Sequence, residues 1–395
     1  MGGMNQDTSA FQRVNFGPYH PAIKGMLRFM LKLDGEAIQK NTCYVGFTHK
    51  GLEKVLEDKP LLQVQKILEN ADRNFLTPYG LSYALALGVE KILTLDPPIR
   101  GQFIRVMLAE MGRIVCHLNQ IASIAESIDF NLISFWSLNL GEKLDSLFLE
   151  IRETHHVFLI PGGVTSDFPN DLLKKIKSTM KEIGKKVEDI KSALLNNAVF
   201  KLRTIQVGVL SEMEAISWGL SGPALRASRV AWDLRRTQPY DVYDRLEFKI
   251  PVGVHGDSFE RTALCLEEMI QSVSIIEQCL DLLPQGEVCH PENKLKIPLK
   301  KRINHSMEAL ICHYKLFSEG AHLPPSRTYV EIEGARGEIG LFLSSNGSNA
   351  FDRVRVRAPS FFNLQALESL LKGYAFSDLP VLLASFDIYS AEVDR

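Results

Sequence analysis

Through the middle of this chain apolar residues recur at the helical period of 3.6, and on both sides of that region the period drops to two. The clearest run is Ile104, Met107, Leu108, Met111, Val115, Leu118 and Ala122, which share one helix face. A second helix is expected through Phe135, Leu138, Leu144, Leu147, Phe148 and Ile151, ending at Pro161-Gly162-Gly163. A third, lysine-rich helix places Ile176, Met180, Ile183, Val187, Ile190 and Leu194 on one side, with its lysines in solvent. A last long helix is expected over Ala263 to Leu283.

The flanks read as sheet. MLRFMLKLDG alternates as a strand ending in an Asp-Gly turn, and NTCYVGFTHKG follows as its partner. Near the other end TYVEIEG, EIGLFLSS and RVRVRAP form three period-two runs separated by turn residues, an antiparallel meander. The reading is an α+β fold: a β-rich segment over residues 1–58, a central helical body over 59–322 and an α+β segment over 323–395, integrated into one domain.

With 395 residues, 45% of them hydrophobic, the chain can bury a substantial core. A net charge of −2 leaves no electrostatic footprint for nucleic acid, which is excluded as a partner. The six cysteines form no Cys-x-x-Cys pair, so a reducing compartment is expected and no metal site is. His155-His156, Cys289-His290 and Cys312-His313 are adjacent pairs, which on a helix point about 100° apart rather than at one ion. Phosphate-cradling glycine loops and nucleophile elbows are absent. No apolar run reaches the length of a membrane span.

The stretch Trp218 to Arg261 carries more charge than a dry core tolerates unless it is paired. Arg226, Asp233, Arg235, Tyr240, Asp241, Asp244 and Arg261 are read as a structural polar network holding the helical body and a subunit interface.

That block, GLSGPALRASRVAWDLRRTQPYDVYDRLEF, resembles the D-subunit family of NADH-quinone oxidoreductases, the subunit 7 family of mitochondrial NADH dehydrogenase in respiratory complex I. The likeness runs over nearly the whole chain, through NFGPYHPA, HKGLEK, PGGV, SMEALICHYKLFSEG and DIYSAEVDR. It implies a fold similar to the nickel-iron hydrogenase large subunit without that enzyme's metal. It also implies a peripheral core subunit of a proton-translocating complex, on the cytoplasmic face of the bacterial inner membrane or the matrix face in mitochondria. The implied partners are the subunit that holds the terminal iron-sulfur cluster, the C subunit, the membrane arm and a quinone at the interface. NADH and FMN would sit on other subunits, with no cofactor on this chain itself.

In the family a His four residues after the GPxHP histidine, a Tyr in a Leu-Asp-Tyr triplet and an Asp that hydrogen-bonds the His meet the quinone. Here the motif histidine is His20, and Lys24 stands in the place of the quinone-binding His. The tyrosine falls at Arg73, or at most at Leu76, with Tyr79 and Tyr83 the nearest phenols. Counts from both sides put the Asp at Ser127. His155 matches the family histidine that couples proton uptake to the cluster, and His49 with Lys50 occupies the near-cluster motif, lysine replacing an arginine. Two functions are therefore expected: a subunit that helps form the quinone-reduction chamber, or a divergent copy with a structural or assembly role and an altered quinone site.

Overall fold

The computed structural model describes residues 11–74, 78–154, 158–291, 295–298 and 300–395, with the side chains of 73, 74, 152–154, 300 and 301 falling outside it. The central helix, Ile99–Ser127, buries every residue of the predicted stripe. Asn131–Thr154 and Ser258–Leu282 lie along it, and a fourth long helix, Asn170–Leu195, packs against those two. The lysine-rich helix is as amphipathic as its spacing requires: Ile176, Met180, Ile183, Val187 and Ile190 are all fully buried. Ser258–Leu282 starts a turn earlier than expected because Asp257 caps it, its carboxylate accepting from the Glu260 amide at 2.8 Å.

The stripe of Asn131–Thr154 departs from the reading. Leu144, Leu147, Phe148 and Ile151 are buried, whereas Phe135 and Leu138 are 65% and 43% exposed, so the first turns of this helix overhang the core.

At the N-terminal end β1 (Gln12–Phe16), β2 (Arg28–Asp34) and β3 (Ala37–Tyr44) form an antiparallel sheet in that order. The expected second strand is displaced. Pairing with β2 uses Ala37 to Tyr44, and VGFTHKG is a loop. A two-strand pair, β4 (Leu159–Ile160) and β5 (Gly163–Val164), is closed by the Pro-Gly turn. The C-terminal meander, β6 (Ser326–Glu333), β7 (Glu338–Ser345) and β8 (Arg353–Arg357), is antiparallel in the expected order.

The N-terminal sheet does not bury its apolar face against its own neighbours in sequence. Phe29, Leu31 and Ile38 pack with Leu364, Leu367, Leu379 and Leu382 of the C-terminal helices Pro359–Leu370 and Leu379–Phe386. Backbone bonds from Phe376 to Glu36, Gly373 to Ile38 and Ile38 to Tyr374 stitch that segment to the β3 edge. The two ends of the sequence thus share one core, set beside the helical body.

Candidate functional site

Among the described residues, three charged clusters inside the fold involve the central helix or the motif loops. The largest is built on Ile99–Ser127, whose stripe is interrupted at helical spacing by Glu110, Arg113 and His117, all no more than 3% exposed. Arg226 enters from Pro223–Ala227, its guanidinium reaching Glu268 at 2.7 Å and Glu333 at 2.8 Å. Asp233 binds Arg235 at 2.7 Å, and Arg235 reaches Glu110 at 3.1 Å. Glu110 also accepts from the Tyr243 hydroxyl at 2.7 Å and the Ser272 hydroxyl at 2.6 Å. His117 closes the array on Glu268 at 3.2 Å.

Burial alone would raise each of these carboxyls, but the guanidiniums outweigh it for three of them. Arg226, His117 and Arg113 hold Glu268 well below the usual carboxylate range. Arg113 and Arg235 hold Glu110 down, and Arg235 helps bring Asp233 to about 2. Glu333 goes the other way, pushed up by burial with Asp233 beside it. Four acids (Glu110, Asp233, Glu268 and Glu333) thus face three guanidiniums (Arg113, Arg226 and Arg235) and one imidazole.

The structure divides the seven residues singled out in the Trp218–Arg261 stretch among different surroundings. Arg226, Asp233 and Arg235 belong to the array just described, and Tyr240 edges it, its hydroxyl accepting from the Glu333 amide at 3.2 Å. Asp241 joins a second cluster, accepting from the Tyr83 hydroxyl at 2.6 Å and lying 3.7 Å from Arg105. Arg105 also pairs with Glu90, whose carboxylate accepts from the Gly162 amide. Among the described residues Arg261 has no acid at hydrogen-bond distance: it donates to the carbonyls of Gly256 and Gly208 and lies over the Phe386 ring. Asp244 is exposed, because the single turn Tyr243–Arg245 points Tyr243 inward and its neighbour out.

A cavity of about 20 Å³ lies between the first two clusters, lined by Tyr79, Tyr83, Arg113, Tyr240 and Glu333 among others. It is large enough for one water.

The third cluster gathers the motif loops. Lys24, in the loop between β1 and β2, forms an ion pair with Asp387, and the opposite oxygen of Asp387 accepts from Arg336 Nε at 2.7 Å. Arg336 Nη1 lies 3.4 Å from Glu392, which accepts from the Ser360 hydroxyl at 2.5 Å. Cys116, on the central helix, points its thiol at Asp387 at 3.6 Å. Arg336 and Lys24 hold Asp387 below the usual carboxylate range against its burial, while burial pushes Cys116 up to about 12 and raises Glu392.

The loop after β3 is tied to the same segment. Asp394 accepts from the amides of Gly46 at 2.7 Å and Thr48 at 2.8 Å, and the exposed His49 donates from Nδ1 to the Asp394 carbonyl at 2.7 Å. Lys50 is exposed beside it.

His20 is half-buried, its Nδ1 accepting from the Ala22 amide at 3.1 Å while its ring lies 4.0 Å from that of Phe16. Burial lowers its pKa. Ser127 is not joined to Lys24. Its hydroxyl donates to the Ile124 carbonyl at 2.7 Å, and the helix carries it about 16 Å beyond the turn of Cys116. Tyr79 and Tyr83 are both core residues, with Tyr83 fully buried. The side chain of Arg73, and His155 entirely, lie outside the described residues.

Sequence reasoning missed Glu110, Arg113, His117, Glu268 and Glu333, and the partners Asp387, Arg336, Glu392 and Asp394. The first three were visible as polar residues at positions i, i+3 and i+7 of an apolar stripe. Among the described residues, no three His, Cys, Asp or Glu side chains are grouped as around a metal ion, and no helix is long and apolar enough to cross a membrane.

Residues 139–395 match the family described as respiratory-chain NADH dehydrogenase, 49 Kd subunit. The D subunit of NADH-quinone oxidoreductase from Wolbachia pipientis wMel is 37% identical over 388 residues, covering 97% of this chain and 98% of the relative. Those from Ehrlichia ruminantium (strain Gardel) and Pelagibacter ubique (strain HTCC1062) are 38% and 39% identical over 384 residues each. Both alignments cover 97% of this chain, with 97% and 98% of the respective relatives.

Proposed function

This chain belongs to the 49 Kd, or D-subunit, family of respiratory NADH-quinone oxidoreductases, and we propose that within that multisubunit enzyme it supplies one wall of the quinone-reduction chamber. The observation that carries this reading is convergence. The GPYHP loop with Lys24, the HKG loop with His49 and Lys50, and the DIYSAEVDR tail are bonded together at one end of the fold.

Reducing a quinone adds two electrons, which NADH supplies through the complex, and two protons, one to each carbonyl oxygen. A chamber wall must therefore present hydrogen-bond donors to those oxygens and exclude bulk water. The Lys24 ammonium, mostly buried beside Asp387, fits the first requirement as a cation that polarises a carbonyl. The second wall of the chamber in this reading comes from a neighbouring subunit that holds the terminal cluster. In this reading His155 couples proton uptake to that cluster, with Arg73 lining the same chamber and NADH and FMN on other subunits. The membrane arm, together with the C subunit, completes the assembly, and the chain sits peripherally on the membrane.

A second reading is favoured by Ser127, which is satisfied by its own helix rather than by the Lys24 loop. In that reading the chain keeps the docking surface and has lost quinone chemistry. The purified complex separates the two. With Lys24→Ala, NADH-driven reduction of a soluble quinone should fall at least tenfold while the subunit stays assembled. An unchanged rate with Lys24→Ala and with Ser127→Ala would leave only the structural role.

A further inference from the structure

Lysine in a loop is ordinarily a solvent-facing group, and Lys24 is not. Its side chain is 14% exposed, and its backbone is fixed on both sides. The Lys24 carbonyl accepts from the Ser390 amide at 3.0 Å, and the Met26 amide donates to the Ser390 hydroxyl at 2.9 Å. Gly25 lies between them at φ +98°, where a Cβ would collide with the Ser390 hydroxyl, so the loop sits flush against the tail.

Asp387 is placed at local cost. It ends the helix Leu379–Phe386 in the left-handed region at φ 50°, at the pole where the helix dipole disfavours an anion, and it is 3% exposed. What offsets those costs is a cation on each oxygen: Lys24 on Oδ1 and Arg336 on Oδ2. Arg336 is in turn balanced by Glu392 and lies over the Tyr389 ring. Among the described residues Asp387 is the one partner of the Lys24 ammonium, which leaves two of its three N–H groups for a ligand.

We propose that Asp387 is a positioning residue that aims the Lys24 ammonium at a quinone carbonyl, an acid from the tail doing for this lysine what Ser127 cannot. The inference rests on the chamber reading given above. Arg336 holds the far oxygen of Asp387, so the carboxylate cannot rotate away from the loop.

The test uses the assembled complex with Lys24→Met, Asp387→Asn, Asp387→Glu and the double variant Lys24→Met/Asp387→Asn. Turnover with a water-soluble ferric acceptor that bypasses the quinone checks integrity. Asp387→Asn should raise the KM for quinone or lower kcat by about tenfold with that bypass rate unchanged, and Asp387→Glu should recover most of it. The double variant should be no worse than Lys24→Met alone, because both changes remove one interaction. Hydrogen exchange at the Met26 and Ser390 amides should accelerate in Lys24→Met, a reading that remains if Asp387→Asn fails to assemble. If Lys24→Met leaves quinone reduction intact, the chamber reading falls. If Lys24→Met is impaired but Asp387→Asn matches the parent, or the two losses multiply, or exchange is unchanged, the positioning role is wrong while the chamber stands.

Discussion

Replacing Arg226 by methionine tests whether the largest cluster is held by charge balance rather than by packing. The guanidinium is fully buried and touches Glu268, Glu333 and Asp233 at 2.7, 2.8 and 3.6 Å. Methionine fills much of the volume but leaves four acids facing two guanidiniums. Removing one partner of a buried ion pair costs about 3–5 kcal/mol, because the remaining charge is stranded in a poor solvent. The pH dependence should also change sign. In the parent, Glu268 is depressed, so its contribution is present above the ordinary carboxyl pKa and is lost only as pH falls. Without Arg226, burial dominates and raises the Glu268 pKa, so stability is lost as pH rises, by up to about 1.4 kcal/mol per pH unit. Urea unfolding of the purified chain at pH 5.5 and 7.5 reads both effects. The variant's deficit should be larger at the higher pH, and adding Glu268→Met should recover at least half of it. A deficit below about 1 kcal/mol that does not vary with pH, or a double variant worse than the single, would refute the charge-balance account.

Asp72 is fully buried and caps Gly80–Leu93 from the preceding helix, accepting from Leu81 and Ser82 amides at 2.6 and 3.0 Å; burial pushes it up to about 7. A raised carboxyl contributes stability at low pH that is lost as pH rises through about 7, so Asp72→Asn should flatten the stability profile between about pH 4 and 7. Asp394→Ala removes the acceptor for Gly46 and Thr48 and should lower the local opening energy of that loop by about 2–3 kcal/mol, read as faster exchange of those two amides. Gly25→Ala should detach the Lys24 loop from Ser390 and reproduce the exchange signature of Lys24→Met with global stability little changed.

What the sequence disclosed follows from the range of the interactions. Ile99–Ser127 and Asn170–Leu195 were legible because a helix face is a local pattern that survives without knowing its partner. The β6–β8 meander was legible because its turns are chemical. β1 was not, since QRVNF is half exposed and short, and the end of β3 was misplaced because Val45 and Phe47 continue an apolar alternation into an exposed loop. Asp244 looked equivalent to Asp241 until one turn set them on opposite sides. At the site, the family likeness pointed to Lys24 and to the positions where the familiar residues are missing. It did not point to Asp387, because no local rule links two residues 363 positions apart.

That separation has a consequence for how the molecule is made and lost. Bringing the Lys24 loop onto the tail closes nearly the whole chain into one ring, a contact that gains nothing until the helical body between has organised, so it forms late in folding. The same remoteness lets it open by itself: the clasp can part without breaking one turn of the four long helices. A chain weakened at this end would keep its helical circular dichroism while its N-terminal loops part from its C-terminal tail.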